Sequence, residues 1–349
     1  MQNNNFNTHT DVNTLGEFGL IDHITSGFDL KHSTSIKGIG DDAAIIKNTS
    51  GCTVVSTDML VEGIHFDLMY TPLKHLGYKA VVVNLSDIYA MNAVPSQITV
   101  SIAISSKYSV EAVSELYTGI ALACKFYNID LVGGDTTSIS KGMVISITAI
   151  GQADSNEIVY RSGASPGDII CVTGDLGAAY LGLQILEREK QIYLAHPGIQ
   201  PELEQNKYLI ERQLKPEAQR GAIEYFKKVK VKPTAMIDVS DGLASDLLHI
   251  CRQSGTGAFI EEAKVPIHPD TESTAISFQL DPITCALHGG EDYELLFAVR
   301  ETDLESIRFM PDVFIIGEIT PASDGVKLHT SGGNIHSITA QGWNHFKEK

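Results

Sequence analysis

The stretch Ile129-Asp130-Leu131-Val132-Gly133-Gly134-Asp135 joins a short apolar segment to two glycines and a carboxylate. The apolar segment predicts a β-strand, and the glycines after it predict a tight turn. Residues 109–127, which precede it, have helical periodicity, and Ser109 is placed to cap that helix with Glu111 in the first turn. A helix followed by a strand and a glycine turn is typical of α/β folds.

The same alternation continues along the chain in both directions. Predicted strands cover residues 53–57, 98–104, 143–150, 169–173, 234–237, 258–262, 293–299 and 313–318. Predicted helices cover residues 15–25, 73–92, 109–127, a segment ending near 189, 201–231 with a break near Lys215-Pro216, and 243–253.

Residues 160–168 are turn or linker material and separate two such mixed halves. A chain of 349 residues also has the length of about two domains. We therefore predict a flexible tail at 1–12, an N-terminal domain at 13–155 and a C-terminal α/β domain at 156–349. Three acidic motifs of the first half are expected at or just beyond strand ends, where ligand sites are common.

The charge of the chain restricts its partners. With 43 acidic and 26 basic side chains the formal net charge is -17, which argues against a nucleic-acid surface or an anionic membrane as partner. Five cysteines without a C-x-x-C pair indicate neither a disulfide framework nor a thiolate metal site. The start of the chain has no signal-peptide pattern, and no apolar run is long enough for a membrane span. We expect a cytoplasmic protein.

Six short segments place carboxylates beside glycines or small polar residues, with no lysine or arginine inside them. They are residues 38–42, 56–58, 84–87, 133–137, 238–242 and 289–292. Carboxylate oxygens on tight turns are suited to hard divalent cations, and such cations let an acidic protein bind phosphates. No Walker loop, protein-kinase motif or clean G-x-G-x-x-G supplies an alternative phosphate site.

Each segment also has a simpler interpretation. An aspartate in a glycine turn often only hydrogen-bonds its own backbone. The adjacent pair Asp41-Asp42 favours a metal role because neighbouring like charges need compensation. Asp238 and Asp241 lie at a strand-to-helix junction, where Ser240 or Asp241 could instead cap the helix that follows.

Taken together, the motifs resemble the thiamine-monophosphate kinase family in order and spacing from about residue 16 to 346. The segments that carry the resemblance are 38–44, 56–60, 62–66, 79–87, 133–137, 237–242 and 289–295. That family is similar to the phosphoribosylaminoimidazole synthetase group of ATP-using enzymes. The resemblance implies an N-terminal α/β domain at 13–155 that binds ATP and metal and whose sheet pairs with that of a second subunit in a dimer barrel. It also implies a C-terminal α/β domain at 156–349 that completes the active site across a cleft.

The resemblance also implies an activity and a set of site residues. The expected reaction is direct in-line transfer of the γ-phosphoryl group of ATP to thiamine monophosphate in a homodimer, assisted by several Mg²⁺ ions. No general base is expected, because the substrate phosphate is already largely anionic at neutral pH. The magnesium-binding positions are Asp42, Ser56, Thr57, Asp58, Asp87, Asp135, Asp238 and Asp241. The ATP-contacting positions are Gly134, Asp135, Arg161 and Ser240, and the substrate-contacting positions are His65, Glu291 and Trp343.

Several of these residues have structural alternatives. His65 lies in an apolar setting, where a histidine is often part of the core. Arg161 could be an exposed turn residue, Glu291 an exposed acid that opens a strand, and Trp343 a packing residue of the C-terminus. A tyrosine also occurs at the Trp343 position, so that role is the least secure.

Other functions on the same fold leave different sequence signals. A selenophosphate synthetase would have a reactive cysteine near the N-terminus, and a hydrogenase-maturation relative would have one at the C-terminus. The first cysteine here is Cys52, and the chain ends in Phe346-Lys347-Glu348-Lys349. A nucleotide-binding regulator without turnover is a third alternative, which the full set of metal-matching carboxylates disfavours.

Overall fold

The computed structural model describes residues 35–37, 40–48, 51–105 and 107–339. The predicted tail at 1–12, the predicted helix at 15–25 and Trp343 lie outside the described residues. Among the described helices, none combines the length and the apolar composition needed to cross a membrane. The cytoplasmic location stays a prediction.

Two mixed sheets flanked by helices make up the described chain, which confirms the predicted mixed α/β class. The strands are β1 (Ser35–Lys37), β2 (Ala44–Asn48), β3 (Gly51–Val61), β4 (Val94–Ile104), β5 (Asp130–Ser138), β6 (Met143–Ala153), β7 (Ile169–Thr173), β8 (Ala235–Asp238), β9 (Thr256–Glu261), β10 (Leu295–Val299), β11 (Val313–Pro321), β12 (Val326–His329) and β13 (Ile335–Ser337). The helices are α1 (Leu73–Ala90), α2 (Val110–Tyr127), α3 (Ala178–Ala195), α4 (Lys207–Leu214), α5 (Arg220–Val229), α6 (Leu243–Ser254), α7 (Pro269–Ser277), α8 (Pro282–His288) and α9 (Leu304–Ile307).

The first sheet has the order β1-β2-β3-β6-β4-β5, in which only β4 and β5 run parallel. Side chains alternate between its two faces, so Ile145 and Ile147 of β6 are buried in the core with α1 and α2. On the opposite face Thr57, Met59 and Ser101 are exposed. In this chain alone, helices therefore cover only one face of the sheet.

The second sheet has the order β13-β12-β9-β11-β7-β10-β8 and is antiparallel except where β12 pairs with β9. Strand β10, the neighbour of the edge strand β8, is buried along its whole length, and α6 packs against β8, β9 and β10. Such continuous burial is typical of strands that are covered on both faces. Because β8 lies at one edge and ends at Asp238, the sheet presents that carboxylate at its margin.

Most predicted elements are confirmed near their expected ends. Helix α1 spans 73–90, and the hydroxyl oxygen of Ser109 accepts a hydrogen bond from the Ala112 amide at 3.2 Å, as expected for the cap of α2. The prediction that one strand ends just before Asp58 and another just before Asp135 was wrong. β3 stays paired with β6 through Val61, and β5 stays paired with β4 through Ser138, so both carboxylates lie within strands.

The two halves of the chain meet through hydrogen-bonded contacts. The hydroxyls of Tyr78 in α1 and Tyr127 in α2 both donate to the carboxylate of Glu217, at 2.6 and 2.7 Å. The Ser86 hydroxyl donates to Asp238 at 2.7 Å. Helix α1 thus contacts the second half along much of its length, while the division of the chain at residue 155 stays a prediction.

Helices α1 and α2 cross at two glycines. A Cβ atom on Gly77 would lie 2.0 Å from the Leu116 carbonyl oxygen, and one on Gly119 would lie 1.9 Å from the Lys74 carbonyl oxygen. Both distances are far shorter than any van der Waals contact, so the backbones touch only because neither residue has a side chain. This crossing fixes how deeply α1 lies against the first sheet.

We expect Gly119→Ala to lower the free energy of unfolding by about 2–3 kcal/mol, because the added methyl group must separate the two helices. Gly221→Ala is the matched control, since nothing lies within 4 Å of its Cβ position in α5. The control should be neutral or stabilising by up to about 1 kcal/mol. Urea unfolding monitored by circular dichroism measures both, and equal stability of the two variants would contradict this packing.

Candidate active site

Three buried or half-buried carboxylates converge at the junction of the two halves. One oxygen each of Asp42, Asp87 and Asp238 lies within 4.8 Å of the others, and we call these three residues the acidic cluster. They come from the segment before β2, the last turns of α1 and the end of β8. Residues far apart in sequence therefore lie together at one place in the fold, while their role as metal ligands stays a prediction.

Helix α1 supplies the polar contacts that hold the cluster. Its Asn84 side-chain oxygen accepts a hydrogen bond from the Asp58 amide at 2.9 Å, and its Ser86 hydroxyl donates to Asp238. The Ser56 hydroxyl lies 2.5 Å from an Asp87 carboxylate oxygen. Since a helix is rigid, these contacts fix β3 and β8 relative to the last turns of α1.

Arg161 compensates part of the negative charge. Its Nε donates to Asp42 Oδ1 at 2.9 Å, a second guanidinium nitrogen binds the same oxygen, and its backbone amide donates to Asp41 Oδ1 at 3.1 Å. The exposed-turn alternative is therefore wrong for Arg161. The other Asp42 oxygen, Oδ2, is buried and has no hydrogen-bond partner among the described residues.

Burial and mutual repulsion dominate the titration of the site. Burial, helped by the charges of Asp238 and Asp41, raises the pKa of Asp42 to about 7 although Arg161 opposes the shift. Burial also raises the pKa of Asp58 and of Asp238 to about 6. The pKa of Asp87 lies well above its usual range, because Asp87 is buried and faces Asp58 and Asp238.

Such a set of hard oxygen donors, one of them buried without a partner, fits a divalent cation. Asp58 is close enough to raise the pKa of Asp87, and Asp241 is close enough to raise the pKa of Asp238. Neither Ser240 nor Asp241 caps α6, whose N-cap is Gly242 without a side-chain hydrogen bond. The capping alternative is therefore wrong for both residues.

The expected substrate contacts lie beside the cluster. His65 follows β3, and its Nδ1 accepts a hydrogen bond from the Val61 amide at 3.0 Å. The Lys79 ammonium opposes the effect of burial and lowers the pKa of Glu291, and His65 is near enough to add a smaller effect in the same direction. The Glu291 amide in turn donates to the Ser240 carbonyl oxygen at 2.8 Å. The structure thus brings together His65, Glu291 and Ser240.

Two other expected ligands are not brought to the cluster within one chain. The Thr57 hydroxyl donates to the Ile147 carbonyl oxygen at 3.0 Å, and its side chain lies on the open face of the sheet. Asp135 and its neighbour Gly134 are exposed on the edge strand β5, with β6 and β4 between them and β3. Three strand spacings correspond to roughly 14 Å.

Sequence reasoning missed several residues of the site. Asp246 is buried in the first turn of α6, and its carboxylate accepts a hydrogen bond from the Asp241 amide at 3.2 Å. Lys79 and Tyr293 both contact Glu291. The only sequence signal for Asp246 was its place in the turn of a helix that follows an acidic motif, and Lys79 is hidden in an apolar helical run.

Comparison with known proteins defines the class first. Residues 40–153, which span from the Asp41-Asp42 segment to the end of β6, match the family described as AIR synthase related protein, N-terminal domain. Two crystal structures of the hydrogenase maturation protein HypE, at 20 and 18% identity with a TM-score of 0.67 each, share the fold. The chain thus has the fold of the AIR synthase related class.

Relatives that match almost the whole chain give the family. Thiamine-monophosphate kinase of Bacillus subtilis is 34% identical over 340 residues, covering 95% of this chain and all of the relative. The enzyme of Aquifex aeolicus is 35% identical over 334 residues, covering 95 and 98%. A solved structure of AaThiL complexed with AMPPCP and TMP superposes with a TM-score of 0.81 at 31% identity, covering 97% of this chain and 99% of that one. The chain belongs to the thiamine-monophosphate kinase family.

We expect the metal-free protein to be less stable at about pH 7.5 than at about pH 5. The cluster carboxyls have folded-state pKa values above the unfolded value of about 3.9, so between these values the folded chain binds more protons than the unfolded chain. The free energy of unfolding then falls as pH rises. Asp87→Asn should raise the melting temperature at about pH 7.5 by several degrees and flatten this dependence.

Differential scanning calorimetry in the presence of a chelator measures both effects. Asp270→Asn is the control, since Asp270 is exposed in the first turn of α7 and outside the site. A lower melting temperature for Asp87→Asn than for the wild type near neutral pH would contradict the repulsion inferred for the cluster.

Proposed function

We propose that the protein transfers the γ-phosphoryl group of ATP to thiamine monophosphate, giving thiamine diphosphate and ADP, the last step of thiamine diphosphate formation. Membership of the thiamine-monophosphate kinase family supports the reaction, and the related AaThiL structure was solved with AMPPCP and TMP. The observation that carries the proposal in this chain is the convergence of Asp42, Asp87 and Asp238 on one point between the two halves.

The reaction is mainly a problem of charge. ATP carries about four negative charges and the substrate phosphate about two, so they repel each other and the aspartates as well. Magnesium ions held by Asp42, Asp58, Asp87, Asp238 and Asp241 would neutralise this charge and polarise the phosphates. Ser56, whose hydroxyl already binds Asp87, would complete this set. Thr57 is a further ligand only by resemblance to the family.

The other site residues would bind and orient the two substrates. Arg161 has a half-buried guanidinium beside Asp42 and would contact ATP phosphates by charge-assisted hydrogen bonds. Ser240 lies in the turn after β8, two residues from Asp238, and would contact ATP as well. No general base is needed, because the attacking phosphate oxygen is already deprotonated near neutral pH. Catalysis then depends on in-line positioning and charge neutralisation.

His65 and Glu291 would bind thiamine monophosphate. Glu291 keeps its negative charge, because Lys79 and His65 lower the pKa of its carboxyl. A fixed carboxylate repels the substrate phosphate and attracts the cationic thiazolium ring or the amino group of the pyrimidine. The proposed orientation therefore has the phosphate toward the acidic cluster and the ring system toward Glu291.

We also propose a homodimer in which β5 contributes to the site of the partner subunit. The edge strand β5 is exposed along its whole length and includes Leu131 and Val132, and the sheet face that carries Met59 is open. Long exposed edges and open sheet faces require a cover. A second copy that closes the two sheets into a barrel would cover both and would place Asp135 and Gly134 near a site on the other subunit.

The kinase activity is tested by incubating the purified protein with ATP, Mg²⁺ and thiamine monophosphate and separating the products by chromatography. We expect equal amounts of ADP and thiamine diphosphate, no transfer to unphosphorylated thiamine, and loss of turnover with a chelator. Asp135→Asn should lower turnover by at least about a hundredfold while the melting temperature stays unchanged, because a ligand charge is removed from an exposed strand. Folded wild-type protein that forms neither product would refute the proposal. The alternative of a nucleotide-binding protein without turnover would then be favoured.

The dimer is tested with Met59→Lys, which introduces a charge into the middle of the open sheet face. We expect this variant to be a monomer in sedimentation velocity at concentrations where the wild type is a dimer, because a buried unpaired charge is strongly unfavourable. Phe309→Lys is the matched control, since Phe309 is 75% exposed and lies after α9 in the second half of the chain. A monomeric wild type, or a dimeric Met59→Lys variant, would contradict the arrangement.

A further inference from the structure

We propose that Lys79 and Tyr293 are positioning residues that hold the carboxylate of Glu291 in place for thiamine monophosphate. The inference rests on the proposed function, because it assumes that Glu291 contacts this substrate. Lys79 lies in α1, on the other side of the cleft from the loop that carries Glu291. Its effect would therefore be to fix a substrate contact from across the domain junction.

Lys79 is a buried cation with two partners. The residue is 4% exposed. Its ammonium group forms an ion pair with Glu291 Oε2 and donates a hydrogen bond to the Gln213 carbonyl oxygen at 2.9 Å. Gln213 belongs to α4 of the second half. The lysine thus ties a helix of the acidic cluster to two separate segments across the junction.

Tyr293 holds the second carboxylate oxygen. Its hydroxyl donates to Glu291 Oε1 at 3.1 Å, and its ring is buried. Each carboxylate oxygen of Glu291 therefore has one partner and keeps acceptor capacity for a substrate donor. With both oxygens restrained, the plane of the carboxylate is set before any ligand binds, which reduces the entropy lost on binding.

The backbone around Glu291 is shaped for this purpose. Glu291 and Tyr293 both have left-handed conformations, with φ of 64° and 53°, which are uncommon for residues with side chains. Hydrogen bonds from their amides to the Ser240 and Val239 carbonyl oxygens, at 2.8 and 2.9 Å, compensate for this. A Cβ on Gly290 would lie 2.5 Å from the Ser240 carbonyl oxygen, so the two loops touch. The Glu291 loop is thereby fixed to the turn that carries Asp238 and Asp241.

A role in stability alone does not account for this arrangement. A buried ion pair seldom stabilises a fold more than apolar side chains of similar size would. Here the ion pair joins α1, which positions Asp87, to the Glu291 loop beside Asp238. It therefore sets the distance between the acidic cluster and the carboxylate proposed to bind the ring system of the substrate. The geometry points to binding of thiamine monophosphate, with no direct role in binding ATP.

The test is steady-state kinetics of Lys79→Met and Tyr293→Phe with each substrate varied in turn. We expect Lys79→Met to raise KM for thiamine monophosphate at least about tenfold and Tyr293→Phe about threefold to tenfold, with KM for ATP changed by less than about twofold. Lys215→Met is the matched control: this lysine also bridges the halves, 4.5 Å above the Tyr78 ring, but it pairs with Glu217 and does not touch Glu291. The control should leave both KM values unchanged.

Glu291→Gln supplies the second criterion. If the tyrosine acts through Glu291, Tyr293→Phe should add little to the KM of the Glu291→Gln variant, whereas independent effects would multiply. Tyr293→Phe removes no charge and creates no cavity, so it keeps the test decisive if Lys79→Met does not fold. An unchanged KM for thiamine monophosphate in Tyr293→Phe, or an equal rise in KM for ATP, would overturn the inference.

Calorimetric titration of thiamine monophosphate separates this inference from the proposed reaction. A wild type that binds the compound without turnover would refute the kinase proposal, and the variants would still be compared by Kd with the same expected ratios. A wild type that does not bind thiamine monophosphate would overturn both. Binding and turnover in the wild type, with the selective losses above, would support both.

Discussion

The repulsion among buried carboxylates is the constraint around which this protein is arranged. Asp42, Asp87 and Asp238 bring one oxygen each within 4.8 Å of the others in a place that water reaches poorly. In such surroundings like charges interact far more strongly than in water. The groups that hold them are accordingly polar and specific: a guanidinium from Arg161 on one side and hydroxyls from Ser56 and Ser86 on the other. These contacts hold the carboxylates in place for cations.

Helix α1 connects the three functions that the site needs. Its Asn84 and Ser86 hold β3 and β8, its Asp87 belongs to the acidic cluster, and its Lys79 reaches Glu291. These positions lie within about two turns of one helix, so they move together as one body. Helix α1 therefore fixes the position of the acidic cluster relative to Glu291.

Local signals in the sequence account for the parts that were predicted well. Helix α1 and the Ser109 cap follow from periodicity and from one side chain bonding to its own turn, which neighbouring residues decide. The predicted strand ends at Asp58 and Asp135 were wrong, because β3 stays paired with β6 and β5 stays paired with β4 beyond these residues. Lys79 had no sequence signal for its role, since its partner Glu291 is 212 residues away. The family resemblance supplied the aspartates, but only the fold shows which of them meet.

The crossing of α1 and α2 at Gly77 and Gly119 has a consequence for how the sequence can change. Each glycine lies against the backbone of the opposite helix, so a side chain at either position displaces a helix and not merely a neighbouring side chain. A smaller side chain elsewhere cannot compensate, because the clash is with backbone atoms, which are the same for every residue. Substitution at either glycine would therefore displace α1 and with it the site residues that this helix carries, although neither glycine belongs to the acidic cluster.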